Sequence, residues 1–173
     1  MGNIGRPHIS SDSDIEGLCR KMASLASERG LTIATAESLT AGNIAAQLGK
    51  APDAGSWFSG GIVAYNREVK QSVLQVPRGP VVCEDAARVM ARSTATLMGA
   101  TLALAVTGEA GPDPQEDVPA GTVWFGVVDH GTVETEKQLY SGDPVDIVAA
   151  TVEHAIRLLV RHASQTNLSH RTS

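Results

Sequence analysis

Apolar residues recur along this chain with two different spacings, and segments of the two kinds alternate. From Asp14 to Gly30 they lie three or four residues apart, which predicts a helix that ends at the glycine. Short apolar runs at 31–36 and 60–65, and an almost wholly apolar run at 101–106, predict strands. The chain therefore begins as a succession of helices and strands of the kind found in α/β domains.

The rest of the chain continues this alternation and ends in a hairpin and a long helix. Further helices are predicted to open at Ser38 (capped by Ser38 or Thr40) and to cover 66–75 (capped by Asn66), 84–98 and 145–162. The hairpin is predicted from strands at 121–128 and 132–140, which flank Asp129-His130-Gly131. The inward face of the helix at 84–98 is predicted to comprise Ala87, Met90, Ala91, Thr94 and Leu97.

Together these elements predict an α/β fold: a three-layer αβα arrangement with a mixed, mostly parallel sheet of about five strands. The length of 173 residues fits one domain. This domain is expected to cover 13–162, with polar, aperiodic and mobile tails at 1–12 and 163–173. Hydrophobic residues make up 42% of the chain, which excludes wholesale disorder. Aromatic residues make up only 3%, so the core must consist mainly of Ala, Val, Leu and Ile.

Charge, hydropathy and cysteine content exclude several classes of protein. The net charge of −5 argues against a general nucleic-acid binder, which needs a broad basic face. No apolar run approaches the roughly 20 residues of a membrane span, and the acidic start of the chain is unlike a secretory signal. Cys19 and Cys83 are too few for a disulfide framework, and no histidine has metal-ligand spacing. A cytoplasmic protein without a bound metal is expected.

The junctions after three predicted strands carry the residues best suited to chemistry. The first is T-A-E-S-L-T-A-G at 35–42. A helix N-terminus at the carboxyl end of a strand offers free N–H groups to a phosphate or an oxyanion. The small hydroxyl or glycine residues Ser38, Thr40 and Gly42 let a ligand approach closely. A plain helix cap also explains Ser38 and Thr40 and is the more common case, so both interpretations stay open.

The second and third junctions offer a base and further donors. Lys70 follows Tyr65 by five residues, and a lysine can activate a serine such as Ser38 where burial lowers its pKa. Most lysines are instead solvated surface residues. After the apolar strand at 101–106, Thr107 and Gly108 can supply a hydroxyl and backbone N–H groups, although an ordinary loop has the same composition.

Four segments, in order, resemble the C-terminal domain of the CinA (competence/damage-inducible) family. They are T-A-E-S-L-T-A-G at 35–42, W-F-S-G-G-I-V-A-Y-N-R-E-V-K at 57–70, L-A-L-A-V-T-G-E-A-G-P at 102–112 and G-T-V-W-F-G at 121–126. The resemblance covers about 14–160. Longer family members carry an additional N-terminal molybdopterin-binding-like domain, and this sequence resembles the stand-alone form.

The resemblance implies hydrolysis of the carboxamide of nicotinamide mononucleotide, which yields nicotinic acid mononucleotide and ammonia without a metal or cofactor. It implies that Ser38 is the nucleophile, that Lys70 is its base and that Tyr65 lies nearby. It further implies a homo-oligomer whose partner is a small-molecule pyridine nucleotide. Substrate contacts are expected from Glu37, Thr40, Ala41, Gly42, Thr107, Gly108 and Gly111.

Two departures from the family pattern leave alternatives open. The first glycine of the family's T-G-G is Ala41 here, and its Cβ can crowd the ligand. The family commonly shows G-D-R-x-x-V-R after the last strand, whereas 142–148 reads G-D-P-V-D-I-V, without either arginine. Arg67, Arg78 or an arginine of a partner subunit can replace them in holding a phosphate. The alternatives are a non-catalytic nucleotide- or partner-binding module of the same fold and a hydrolase of an unphosphorylated nicotinamide substrate.

Overall fold

Five strands form one mixed sheet in the computed structural model, which describes residues 12–114 and 116–165. The strands are β1 (Ile33–Glu37), β2 (Phe58–Val63), β3 (Leu102–Gly108), β4 (Thr122–Asp129) and β5 (Thr132–Leu139). Their spatial order is β2-β1-β3-β4-β5. β1 pairs in parallel with β2 and β3, whereas β3 with β4 and β4 with β5 are antiparallel. The predicted mixed sheet of five strands is confirmed.

Helices cover both faces of this sheet. They are α1 (Asp12–Arg29), α2 (Asn43–Gly49), α3 (Ala54–Trp57), α4 (Arg67–Leu74), α5 (Glu84–Met98) and α6 (Pro144–Gln165). One hydrophobic core lies between the sheet and α1, α2 and α6, and a second lies between the sheet and α4 and α5. The three-layer αβα arrangement is therefore confirmed. β1 is buried at all five positions, Thr35 and Glu37 included, as expected of a parallel strand covered on both faces.

Small residues let α5 approach the sheet closely. The sheet face beneath it contains Ala36, Ala103 and Ala105, all fully buried. Gly126 lies in β4 under the same helix, and a Cβ there would come 2.3 Å from the carbonyl oxygen of Ala87. The low aromatic content of the sequence thus reflects a narrow space between α5 and the sheet, which only small side chains fit.

Several predicted boundaries differ from those in the structure. α6 continues to Gln165 and buries Ala163, so the folded part extends past the predicted boundary at 162. α3 had no counterpart among the predicted elements. Leu97, predicted to face inward from α5, is 57% exposed, because it lies in the last turn beyond the covered face. Of the predicted tails at 1–12 and 163–173, residues 1–11 and 166–173 lie outside the described residues.

No helix within 12–114 or 116–165 has both the length and the apolar character needed to cross a membrane.

Candidate active site

Ser38 lies at the edge of the sheet where the parallel strands end. It follows β1 directly, Tyr65 follows β2 after one intervening residue, and Gly108 is the last residue of β3. Because β1 lies between β2 and β3, the segments that follow these three strands flank Ser38 on both sides. Ser38 is 6% exposed. The carboxyl ends of parallel strands are where ligands of open α/β sheets bind, so the three predicted junctions do meet at one edge.

The chain after Ser38 forms turns before a helix begins. The N–H of Ala41 donates to the Ser38 carbonyl (3.0 Å), and the N–H of Asn43 donates to the Thr40 carbonyl (2.9 Å). α2 starts only at Asn43, with Gly42 at its N-cap and no side-chain cap from that residue. The prediction that a helix opens at Ser38 with Ser38 or Thr40 as cap is therefore wrong.

Glu37, the last residue of β1, caps α2 instead. Its Oε1 accepts the N–H of Ile44 (2.8 Å) and its Oε2 accepts the N–H of Ala45 (2.9 Å). The carboxylate is fully buried, and its charge complements the positive end of the helix dipole. Glu37 was predicted to contact the substrate; both of its oxygens are engaged by α2. Those two N–H groups are consequently taken, and the remaining backbone donors near Ser38 belong to the turn.

Two consecutive residues of this turn have left-handed backbone conformations. Ala41 has φ 49° and Gly42 has φ 93°. A glycine adopts such a conformation without steric cost, whereas the Cβ of an alanine there costs about 1–2 kcal/mol. The alanine that replaces the family's glycine at position 41 therefore occupies a strained position.

Ala41→Gly is expected to raise the free energy of unfolding by about 0.5 kcal/mol. The relief of left-handed strain, about 1–2 kcal/mol, exceeds the extra freedom of the unfolded chain, about 0.4–1 kcal/mol. Urea denaturation measures the change. Ala46→Gly in α2 is the matched control and should cost about 1 kcal/mol, because Ala46 is exposed and helical. Equal losses in the two variants would contradict the strain at Ala41.

Lys70 projects into the protein from the first half of α4. It is 3% exposed, and its Nζ donates to the backbone carbonyl of Tyr65 (3.1 Å). Burial lowers its pKa below the ordinary 10.5, and the positive charge of Arg67 acts in the same direction. The negative charge of Glu116 opposes both effects. Lys70 is thus not the solvated surface residue that most lysines are, and it has the properties of a proton acceptor.

Tyr65 contributes its backbone rather than its ring to this arrangement. Its carbonyl accepts the Lys70 ammonium, but the residue is 68% exposed. The next residue, Asn66, caps α4 through a bond from the N–H of Glu68 to its Oδ1 (2.7 Å), which confirms the predicted cap. This cap fixes the start of α4 and so places Lys70 one turn further on.

The residues at the end of β3 are held by structural contacts. The Thr107 hydroxyl is fully buried and donates to the carbonyl of Val81 (2.6 Å). A Cβ at Gly108 would come 2.9 Å from the Thr122 carbonyl oxygen and 3.2 Å from Leu39, so glycine is needed there for packing. The N–H of Gly111 donates to Oε1 of Glu109 at 3.2 Å. The Thr107 hydroxyl and the Gly111 N–H thus have partners within the protein, and packing requires a glycine at 108.

Thr40 differs from these residues because its hydroxyl is buried without a partner. Its Oγ1 has no hydrogen bond to any described residue, and neither has that of Thr35 in β1. A buried hydroxyl without a partner costs roughly 1–3 kcal/mol. Of the predicted substrate contacts, Thr40 has the side chain whose hydrogen-bonding capacity is unfilled.

Glu116 is the site residue that the sequence did not reveal. It lies between β3 and β4, and its Oε1 accepts both Nη2 of Arg67 (2.8 Å) and the N–H of Val81 (2.9 Å). Its Oε2 accepts the N–H of Val82 at 2.9 Å. No local spacing links position 116 to 67, 81 or 82, so only the folded chain brings them together.

The described residues show no metal site, and two cavities of the protein lie away from Ser38 and Lys70. Nowhere in 12–114 or 116–165 do three His, Cys, Asp or Glu side chains group so that they could hold a metal ion. A cavity of about 420 Å³ lies between α1 and the α2–α3 region, and one of about 120 Å³ lies between β5 and α6. Neither is lined by Ser38 or Lys70, whose position at the strand ends is the better indicator of a site.

Small-residue turns and a buried lysine follow the carboxyl ends of parallel strands, which is where α/β proteins with an open sheet bind their ligands. The sequence matches the CinA C-terminal domain family over residues 15–163, and the chain belongs to this family. The resemblance noted from the four sequence segments is confirmed.

Two curated relatives and two solved structures illustrate the similarity. A putative competence-damage inducible protein of Listeria welshimeri is 39% identical over 81% of this chain and 35% of its own length. A CinA-like protein of Frankia casuarinae is 38% identical over 87% of this chain and 35% of its own. The chain therefore spans about a third of the length of these relatives.

The structural similarity extends over almost the whole of the solved chains. A competence-damaged protein (CinA) superfamily protein of Klebsiella pneumoniae has a TM-score of 0.83 at 35% identity, covering 87% of this chain and 98% of its own. The competence/damage inducible protein CihA of Agrobacterium tumefaciens has a TM-score of 0.81 at 28% identity, covering 94% and 99%.

Proposed function

We propose that this chain is an amidohydrolase that deamidates nicotinamide mononucleotide to nicotinic acid mononucleotide and ammonia, with Ser38 as nucleophile and Lys70 as base. The observation that carries the proposal is the burial of the Lys70 amine beside the carboxyl end of β2, the strand next to the one that Ser38 follows. A lysine with a lowered pKa can take a proton from a serine near neutral pH. Membership of the CinA C-terminal domain family supports the assignment.

The reaction would follow the usual course of acyl transfer. Neutral Lys70 takes the proton of the Ser38 hydroxyl as Oγ bonds to the carboxamide carbon. The C–N bond then breaks, and the proton held by Lys70 passes to the departing nitrogen, which leaves as ammonia. Water attacks the acyl-enzyme with Lys70 again as base, which releases the acid and restores Ser38. These steps need no metal or cofactor.

The turn after Ser38 supplies the donors for the oxyanion in this scheme. The N–H groups of Leu39 and Thr40 follow the nucleophile directly, whereas those of Ala41 and Asn43 donate within the turn. Backbone donors fixed in advance stabilise developing charge well, because no reorganisation is needed during the reaction. We assign the Thr40 hydroxyl, and the backbone of Ala41 and Gly42, to substrate contact. Tyr65 takes part through the carbonyl that holds Lys70.

The second candidate is a hydrolase of the same chemistry acting on an unphosphorylated nicotinamide substrate. This candidate is favoured because the Arg67 guanidinium already binds Glu116 and the Gly79 carbonyl (2.6 Å), so it is not free to bind a phosphate. The segment 142–148 also lacks the family's arginines. A phosphate would then have to be held by Arg78, which is exposed, or by an arginine of another subunit. We place the protein in the cytoplasm as a homo-oligomer.

Ammonia release from nicotinamide mononucleotide and from nicotinamide riboside tests these candidates. Ser38→Ala is expected to lower kcat about 10³-fold or more, whereas Ser72→Ala, on the exposed side of α4, should leave it unchanged. Turnover of the riboside alone would select the second candidate. Binding of the nucleotide without turnover in the folded wild type would support a non-catalytic module, and activity that survives Ser38→Ala would exclude the proposed nucleophile.

A further inference from the structure

Three pieces of chain meet around Lys70, and Glu116 joins them. The loop between β3 and β4 (109–121) reaches the connection between α4 and α5 (75–83), where Glu116 accepts the N–H groups of Val81 and Val82. The same carboxylate binds Arg67, in the first turn of α4. The Glu116 side chain is only 10% exposed, so its charge-assisted bonds from the two N–H groups are largely desolvated, whereas the Arg67 side chain is 47% exposed.

The α4–α5 connection is itself fixed to the elements that carry the site. The N–H of Val76 donates to the Lys70 carbonyl (3.1 Å), and the Thr107 hydroxyl at the end of β3 donates to Val81. Arg67 adds a bond to the Gly79 carbonyl. Glu116 is the group that links this connection, the β3–β4 loop and α4. Its carboxylate binds Arg67, which precedes Lys70 by three residues in α4, so the two cations lie about one helical turn apart.

We propose that Glu116 is the positioning residue for the Lys70 amine: it ties the β3–β4 loop across α4 and, together with Arg67, sets the charge balance in which Lys70 exchanges its proton. The inference rests on the proposed function for its catalytic consequence but not for its structural one. The charged groups that act on Lys70 are Arg67, from its own helix, and Glu116, from the loop. Its neutral partner is the Tyr65 carbonyl.

The two members of this ion pair have opposite effects on Lys70. Glu116 raises the pKa of Lys70 by favouring the ammonium, and Arg67 lowers the same pKa by repelling it. Glu116→Gln and Arg67→Gln break the same salt bridge of 2.8 Å, but Glu116→Gln also disturbs the bonds from Val81 and Val82. A purely structural role therefore predicts a larger loss of stability in Glu116→Gln, without shifts of the Lys70 pKa of opposite sign. A role in the proton affinity of Lys70 predicts shifts of opposite sign.

The pH dependence of kcat/KM for ammonia release is the first readout. The limb on which activity rises with pH reports deprotonation of the base. We expect it to move to lower pH in Glu116→Gln and to higher pH in Arg67→Gln. Arg88→Gln, which breaks the surface pair with Glu84 on α5, is the control and should leave the limb in place. Shifts in the same direction, or none, would overturn the proposal.

A second readout does not depend on activity. The chain has four lysines, and Lys21, Lys50 and Lys137 are exposed. In protein labelled with ¹³C at lysine Cε, the Lys70 signal can be identified by its loss in Lys70→Met. Its titration midpoint should fall in Glu116→Gln and rise in Arg67→Gln, and unchanged midpoints in both would refute the inference.

The two readouts separate failure of the inference from failure of the proposed function. Opposite shifts of the Lys70 signal in a protein that releases no ammonia would leave Glu116 as the positioning residue and reject the amidohydrolase. Ammonia release that depends on Ser38, together with the same Lys70 midpoint in both variants, would support the amidohydrolase and reject Glu116 as the positioning residue. Should Glu116→Gln fail to fold, Arg67→Gln still tests the inference, because Arg67 is exposed and its replacement should raise the titration midpoint of Lys70. Glu116→Asp retains the charge and should leave this midpoint close to that of the wild type.

Discussion

Lys70→Met is expected to lower kcat for ammonia release about 10³-fold or more, the range found when a general base that activates a nucleophile is removed. Methionine has a similar length and no proton to exchange, so the Ser38 hydroxyl would keep its proton. The same variant should retain or gain stability, because burial already disfavours the charged form of Lys70. Steady-state kinetics and urea denaturation of the purified variant together measure both effects.

The matched control is Lys50→Met, which removes an exposed lysine and should change neither quantity appreciably. In the wild type, activity should rise with pH as Lys70 loses its proton, and the midpoint should lie below 10.5 because burial lowers this pKa. The free energy of unfolding should rise over the same interval, since the unfolded chain binds the proton more tightly there. A Lys70→Met protein that is folded and fully active would refute Lys70 as the base.

The second large effect is expected in Glu37→Gln, which should lower the free energy of unfolding by about 2–3 kcal/mol. The amide can accept only through its oxygen, so its NH₂ group would face the N–H of Ile44 or Ala45. A buried donor would then be left without an acceptor, and the favourable charge at the start of α2 would be lost. Thermal and urea denaturation measure the loss.

Glu28→Gln is the control for this substitution, since Glu28 is exposed on α1 and should tolerate the change within about 0.5 kcal/mol. Activity should fall along with stability in Glu37→Gln, because the turn that carries Ser38 lies between Glu37 and the helix that it caps. If the two variants were equally stable, the carboxylate would not be what holds the start of α2.

The fold could be predicted from the sequence where local signals were sufficient. α5 has the predicted bounds of 84–98, because Gly99 ends it in a left-handed conformation (φ 60°) and two acidic residues occupy its first turn. The hairpin of β4 and β5 was likewise predicted from two strands that flank Asp129-His130-Gly131, and His130 and Gly131 both have positive φ.

The candidate site depends on contacts that local signals do not encode. The start of α2 was mispredicted because its cap, Glu37, precedes it by six residues and belongs to a strand. The burial of Lys70 could not be read from its helix, since burial depends on how α4 packs against α5 and the sheet. The sequence placed Ser38 and Lys70 at neighbouring strand ends, but the contacts that hold them there are long-range.

The strand order has a consequence for how the proposed pair responds to local opening. β1 is hydrogen-bonded on both sides, by β2 and β3, whereas β2 is an edge strand bonded on one side only. Ser38 thus follows a strand that is bonded to a neighbour on each side, whereas Lys70 lies in a short helix that follows an edge strand. Proteins open in cooperative units of unequal free energy, and we expect the edge strand to open more readily than the central one. Release of β2 and α4 alone would move the Lys70 amine away from the Ser38 hydroxyl while the other four strands still pair. Activity would then be lost by opening at the edge, whereas the amides of β1 and β3 would keep their protection from hydrogen exchange.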